Sequence, residues 1–158
     1  TNMLSAASVG HYFGVSDDDI CAAIAEYQPS NHRSQVEHCG SNTVIADYYN
    51  ANPTSMTAAL NNLFGIEHPH KMAILGEMRE LGSVSSEEHA RIIELCRQHQ
   101  IEAYFVGSEF QKQLSRDTHC FSNVDEANQY FSQHPVNNAL ILIKGSRGVH
   151  LEKLALLQ

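Results

Sequence analysis

The side chains best suited to hold a small polar molecule sit just after short apolar runs. Asp47 and Asn50 follow Val44-Ile45-Ala46, Glu77 and Arg79 follow Ile74-Leu75-Gly76, and Ser108 follows Phe105-Val106-Gly107. Lys144, Ser146 and Arg147 surround Gly145 after Ile141-Leu142-Ile143. A carboxylate accepts two hydroxyl donors, and an asparagine offers both a donor and an acceptor. A cation holds a carboxylate through a charge-assisted bond. This is chemistry of binding rather than of bond making. The chain has no G-x-x-x-x-G-K-[ST] phosphate cradle and no G-x-G-x-x-G dinucleotide fingerprint. It has no G-x-S-x-G elbow either, and Ser, His and Asp recur too often for a triad to stand out. Gly145-Ser146-Arg147-Gly148 is a weak substitute for a phosphate loop. Nothing here is expected to run a full reaction alone.

Metal and thiol chemistry are also disfavoured. His38-Cys39 and His119-Cys120 are adjacent pairs, and neighbours on a strand point to opposite faces, so each supplies at most one ligand. Cys21, Cys39, Cys96 and Cys120 show no C-x-x-C spacing, and reduced thiols of a cytoplasmic protein are expected. Most of the ten histidines lie among polar residues, which makes solvated surface their default reading.

The elements that must carry these residues follow from periodicity. Residues 2–13 form a weak helical stripe ended by Gly14, and Ser16 with Asp17-Asp18-Asp19 begins a second helix carrying Ile20, Ala23, Ile24 and Tyr27. Pro29-Ser30-Asn31-His32 marks the best boundary in the chain. Residues 35–39 and 43–49 read as a hairpin around Gly40-Ser41-Asn42. Asn52 caps a helix that Pro53 opens and Gly65 ends. Residues 71–75, 102–106, 118–121 and 139–143 read as strands, and residues 108–115 as a short helix. Ser85 with Glu88 suggests a capping box on the helix that buries Ile92, Ile93 and Cys96. Ser122 with Asp125 opens a helix carrying Val124, Ala127 and Phe131, and the apolar tail 149–157 packs back on the sheet. The expectation is an α/β, three-layer domain with a mostly parallel sheet of about six strands, one of them antiparallel and supplied by the N-terminal hairpin. In such sheets ligands collect beyond the carboxyl ends of the strands. Glycine at three strand ends gives the chain tight turns and a ligand close access to the backbone.

The 158 residues suffice for one well-cored domain with an appendage. At 42% hydrophobic and 18% charged residues, the composition is that of an ordinary globular protein. A formal charge of −8, with few and scattered Lys and Arg, argues against nucleic acid as a partner. No apolar run is long enough to span a membrane. The first residues lack the basic region of a signal peptide, and an opening directly in an apolar periodic segment suggests a piece of something longer.

One stretch is more specific. Asp47-Tyr48-Tyr49-Asn50-Ala51-Asn52-Pro53, followed by Ser55-Met56, resembles the D-x-Y-N-A-N-P-x-S-M signature of the D-alanyl-D-alanine-adding Mur ligases. Gly76-Glu77-Met78-Arg79-Glu80-Leu81-Gly82 resembles their G-D-M-x-E-L-G segment, with Glu77 in place of Asp, and His89 falls where that family has a histidine. Lys144-Gly145-Ser146-Arg147 resembles their K-G-S-R ending. Arg33 stands where the C-terminal domain opens with G-R, although His32 replaces the glycine, and Tyr48 stands where Ser is common.

The resemblance implies an enzyme of three domains: an N-terminal domain for the UDP-muramoyl peptide, a central P-loop ATPase, and a Rossmann-like C-terminal domain. On that pattern residues 1–28 are the helical end of the ATPase domain and residues 29–158 the C-terminal domain. ATP and Mg2+ belong to the full-length enzyme, with neither held tightly by this piece. Asn2 is then expected at adenine, Arg33 and Asp47 at the nucleotide, and Tyr49, Asn50 and Asn52 along the same pocket. Lys144, Ser146 and Arg147, with Glu77 and Glu80, are the candidates for the D-Ala-D-Ala dipeptide. A monomer whose partners are its own other domains is expected. The competing reading is a free-standing Rossmann-like or flavodoxin-like nucleotide-binding module.

Overall fold

The computed structural model describes residues 2–27, 34–114 and 119–157. The chain opens with two helices, α1 (Asn2–Tyr12) and α2 (Asp17–Glu26), neither of which buries a residue. Gly14 turns between them at φ 81°, a value that favours glycine. The Ser16 hydroxyl caps α2 by accepting from the Asp19 amide at 3.2 Å.

The hairpin forms where it was expected. β1 (Gln35–Cys39) pairs antiparallel with β2 (Asn42–Asp47) around Gly40, whose φ is 60°. Asn42 therefore belongs to the second strand rather than the turn. Its buried side chain accepts from the Ala139 amide at 3.0 Å and donates to the Val136 carbonyl at 2.8 Å.

The other strands are β3 (Lys71–Gly76), β4 (Glu102–Val106), β5 (Cys120–Phe121) and β6 (Leu140–Lys144). Their order is β1-β2-β6-β3-β4-β5, and every pairing after the hairpin is parallel. The last strand is thus inserted at the middle of the sheet. All five of its residues are buried, as its unbroken apolar character requires.

Alternation along the strands divides the core into two. Ile74, Val106, Ile141 and Ile143 face α6 (Val124–Gln133) and a C-terminal tail of 3-10 turns that buries Leu151 and Leu154. Ala73, Leu75, Phe105 and Leu142 face α3 (Pro53–Gly65), α4 (Ser85–Gln98) and α5 (Ser108–Gln113), through Leu60, Ile92 and Phe110. These are the three expected layers. Among the described residues no helix is long and apolar enough to cross a membrane.

Two helix starts differ from expectation. Ser85 makes no capping bond at α4. Its hydroxyl donates instead to Glu109 Oε2 at 2.8 Å, and α4 begins directly from a preceding 3-10 turn. At α6 the cap is Asn123, which accepts from the Asp125 and Glu126 amides at 3.0 Å each. Ser122 instead receives Glu126, whose carboxylate accepts both its amide and its hydroxyl.

Candidate functional site

The parallel register brings three strand ends level. Asp47 of β2 pairs with Lys144 of β6, which pairs in turn with Leu75 of β3. Beyond them run three loops: residues 48–52, 77–82 and 145–150.

The first loop is fixed from below. Lys144 is 1% exposed, and its ammonium donates to Asp47 Oδ2 at 2.7 Å and to the Asn50 carbonyl at 3.0 Å. The other Asp47 oxygen accepts from the Ser34 amide at 3.2 Å. A buried ammonium without its carboxylate is costly, so Asp47 and Lys144 constitute one unit. The sequence offered Lys144 as a cation for a ligand. Its burial beneath the loop makes it the anchor of Asp47 instead.

Asn52 ends the loop as the N-cap of α3. Its Oδ1 accepts from the Ser55 amide at 2.8 Å, and the Asn52 amide in turn donates to Ser55 Oγ at 3.1 Å. With Pro53 at the first helical position, the N-A-N-P segment is thus rigid at its exit. Asn50 and Tyr49 remain at the surface, and the Arg147 guanidinium stacks over the Tyr49 ring at 5.7 Å. Tyr48, one residue earlier, is core: burial, then the nearby Glu37, Glu152 and Cys39, push its phenol up to about 12.

The second loop is held by Glu77, Ser146 and His89. Glu77 Oε2 accepts from the Ser108 hydroxyl at 3.3 Å and the Glu109 amide at 3.1 Å, which places its carboxylate at the start of α5. Oε1 lies 3.5 Å from Arg79 Nε. Ser146 Oγ accepts from the Arg79 amide at 3.0 Å, and the Ser146 amide donates to the Glu77 carbonyl at 3.3 Å. His89, the histidine at the family's position, is fully buried. Its Nε2 accepts from the Met78 amide at 3.0 Å while Nδ1 donates to the Ser85 carbonyl at 2.7 Å, which fixes the tautomer. Glu80 is left exposed in left-handed backbone at φ 68°, an uncommon conformation for a residue with a side chain.

The glycines at these strand ends serve close packing of the protein on itself. A methyl on Gly145 would stand 2.8 Å from Gly76 Cα and from Leu151 Cδ1. A methyl on Gly107 would stand 2.6 Å from Glu77 Oε2. What approaches these backbones is the protein itself: the Gly76 backbone and the Leu151 side chain at Gly145, and the Glu77 side chain at Gly107.

A pocket of about 270 Å³ opens between the loops, lined by Tyr49, Asn50, Arg79, Glu80, Ser146, Arg147 and Gly148. A second hollow of about 390 Å³ lies on the other side of the 77–82 loop, toward Ser108, Glu109 and Lys112. Glu109 is held below the usual carboxylate range by its bonds from Lys112 and the Ser85 hydroxyl, against the pull of burial. Of the residues singled out in the sequence, Asp47, Tyr49, Asn50, Asn52, Glu77, Glu80, Lys144, Ser146 and Arg147 therefore share one edge of the sheet. Asn2 opens α1, exposed, and does not line this pocket. Arg33 lies outside the described residues. Gly148, read in the sequence only as part of a weak phosphate-loop substitute, lies against the Arg79 guanidinium, far away in the chain.

The geometry can be set beside known proteins. The family described as "Mur ligase, glutamate ligase domain" matches residues 32–147. A UDP-N-acetylmuramoyl-tripeptide–D-alanyl-D-alanine ligase of Rickettsia prowazekii is 32% identical over 139 residues, which are 83% of this chain and 30% of that protein. The ligase of the same name from Mycobacterium bovis is 46% identical over 99 residues, 58% of this chain and 19% of its own length. The crystal structure of MurF from Acinetobacter baumannii superposes with a TM-score of 0.79 at 28% identity, covering 97% of this chain and 35% of that one. The chain spans about a third of the length of the first curated relatives it matches. With the family pattern running from the hairpin through the last strand-end loop, and the fold shared with a MurF, the chain belongs to the Mur ligase family.

Proposed function

We propose that this chain is the domain that completes the active site of an ATP-dependent ligase joining D-alanyl-D-alanine to a UDP-N-acetylmuramoyl tripeptide in peptidoglycan precursor synthesis. The observation that supports this most is the junction of β2 and β6. There a carboxylate, Asp47, is anchored by the buried Lys144 on a capped N-A-N-P loop beside an open polar pocket. In this reading residues 1–28 are the helical end of a preceding ATPase domain, and residues 29–158 are the C-terminal domain. The absence of any buried residue in α1 and α2 supports that division.

The ATPase domain supplies the activation of the tripeptide carboxylate as an acyl phosphate, which the dipeptide amine attacks to form the amide. This domain contributes position. Asp47 accepts hydroxyl donors of the nucleotide ribose and Arg33 contacts the nucleotide, while Asn2, in the helical end of the ATPase domain, meets the adenine edge. Tyr49, Asn50 and Asn52 line the same crevice. Ser146, Arg147 and Glu80 face the dipeptide, while Lys144 and Glu77 act by holding the loops. Closure of the two domains excludes water from the activated carboxylate. Among the described residues no group of three or more His, Cys, Asp or Glu gathers, and no step is assigned through a metal held by this domain. A cytoplasmic monomer is the setting this reading implies.

Calorimetry and turnover with ATP test the proposal. The 158-residue chain is expected to show no ATP hydrolysis and to bind ATP more weakly than about micromolar, roughly −8 kcal/mol. Turnover, or tighter binding, would favour a free-standing nucleotide-binding module.

A further inference from the structure

Arg79 occupies the unspecified position of the Gly76–Gly82 segment; its place at a strand end makes it a candidate for holding a polar molecule, but the resemblance gives it no task. Its surroundings do. The backbone amide is fixed by Ser146 Oγ at 3.0 Å, and Nε lies 3.5 Å from Glu77 Oε1. Nη1 rests on Gly148, where a methyl group would overlap it. Gly148 is not among the glycines at positive φ, so no turn requires glycine there. What its missing side chain provides is room for a guanidinium.

Arg147 enters the same pocket from the adjacent loop, steadied over Tyr49. The pocket thus brings together two guanidinium groups and one carboxylate, Glu80, the last on strained backbone. The two arginines are each oriented by contacts other than with one another. Their planar forks suit bidentate binding of a carboxylate. About 270 Å³ accommodates a molecule the size of a short dipeptide.

Resting on the ligase reading above, we propose that Arg79 is a substrate-specificity residue: with Arg147 it receives the C-terminal carboxylate of the incoming dipeptide, and Gly148 holds its place. The pair selects a free carboxylate over an amide or ester at that end. Arg79 binds and orients the dipeptide and takes no part in the transfer of a proton or phosphoryl group.

The test is a titration of the 158-residue chain with D-Ala-D-Ala, with its C-terminal amide, and with inorganic phosphate, following the arginine Nε–H signals by NMR. D-Ala-D-Ala is expected to shift the signals of Arg79 and Arg147 together, and the amide to bind at least roughly tenfold more weakly. Arg79→Gln should weaken dipeptide binding by roughly tenfold or more. Gly148→Ala should reproduce the loss with both charges retained, because it displaces the guanidinium. Dipeptide binding undiminished in both variants overturns the inference and leaves the ligase reading standing. Equal binding of dipeptide and amide overturns it too, as does a response of the two arginines to phosphate alone. Failure of the dipeptide to shift any residue on this face removes the inference together with the dipeptide half of the ligase reading. The nucleotide half is judged separately by the ATP titration.

Discussion

Replacing Lys144 by alanine isolates the physical core of the site. The substitution leaves Asp47, whose side chain is 16% exposed, with the Ser34 amide as its remaining partner, and it frees the Asn50 carbonyl. Removing one member of a buried ion pair costs about 3–5 kcal/mol, because the other charge stays desolvated. The partial exposure of Asp47 places the expected loss near the lower end, about 3 kcal/mol. With a urea m-value of about 1–3 kcal/mol/M for a domain of this size, the unfolding midpoint should fall by roughly 1–3 M. A double-mutant cycle with Asp47→Asn and Lys144→Met separates the pair from its parts. The double variant should recover much of the loss, since a neutral pair leaves no stranded charge. A loss below about 1 kcal/mol for Lys144→Ala, the value of an exposed pair, would refute the assignment of a buried unit. Strict additivity in the cycle would refute it as well.

Four further outcomes are expected. Gly145→Ala presses a methyl against Gly76 and Leu151 and should cost about 1–3 kcal/mol in thermal or urea unfolding. Gly65→Ala, with nothing within 4 Å, should be neutral or stabilising, and equal effects would contradict the packing argument. His89→Phe keeps a flat ring, somewhat larger than imidazole, but strands the buried Met78 amide, costing about 1–3 kcal/mol, and hydrogen exchange at that amide should accelerate; unchanged protection would show that the bond is dispensable. Because Lys112 and Ser85 hold Glu109 below its unfolded value of about 4.3, its stabilisation is fully present above that pH and is lost as pH falls through the lowered value. A carboxyl NMR titration should show the Glu109 midpoint rising in Ser85→Ala, and an unmoved midpoint would remove the serine from the account.

Features written in neighbouring residues were legible in the sequence. Asn52-Pro53 with Ser55 dictates its own helix start, and Gly40 its own turn, so both appear as read. The continuous apolar run of β6 implied burial on both faces, which the sheet centre supplies. Readings failed where a distant partner competed. Ser85 has the residue type and spacing of a cap, yet Glu109, 24 positions later, takes its hydroxyl. The ion pair of Lys144 was not legible, because no local pattern reveals a carboxylate 97 residues earlier. The strand-end glycines were correctly noticed, but the atoms filling their space come from Leu151 and Glu77, which no spacing rule identifies.

The place of β6 between β2 and β3 has a kinetic meaning. Hairpin, α3, β3, α4 and β4 can each form early, but the two halves of the sheet join only when residues 140–144 arrive. Until then the apolar edges of β2 and β3 stand open, an aggregation hazard for a nascent or truncated chain. Closure over so long a separation is slow relative to helix formation and hairpin closure. Asp47 therefore meets its counter-charge in the same event that completes the sheet. A polypeptide stalled before Leu140 would carry the whole N-A-N-P signature without the Lys144 anchor beneath it, so any assay of shortened versions must retain the last strand.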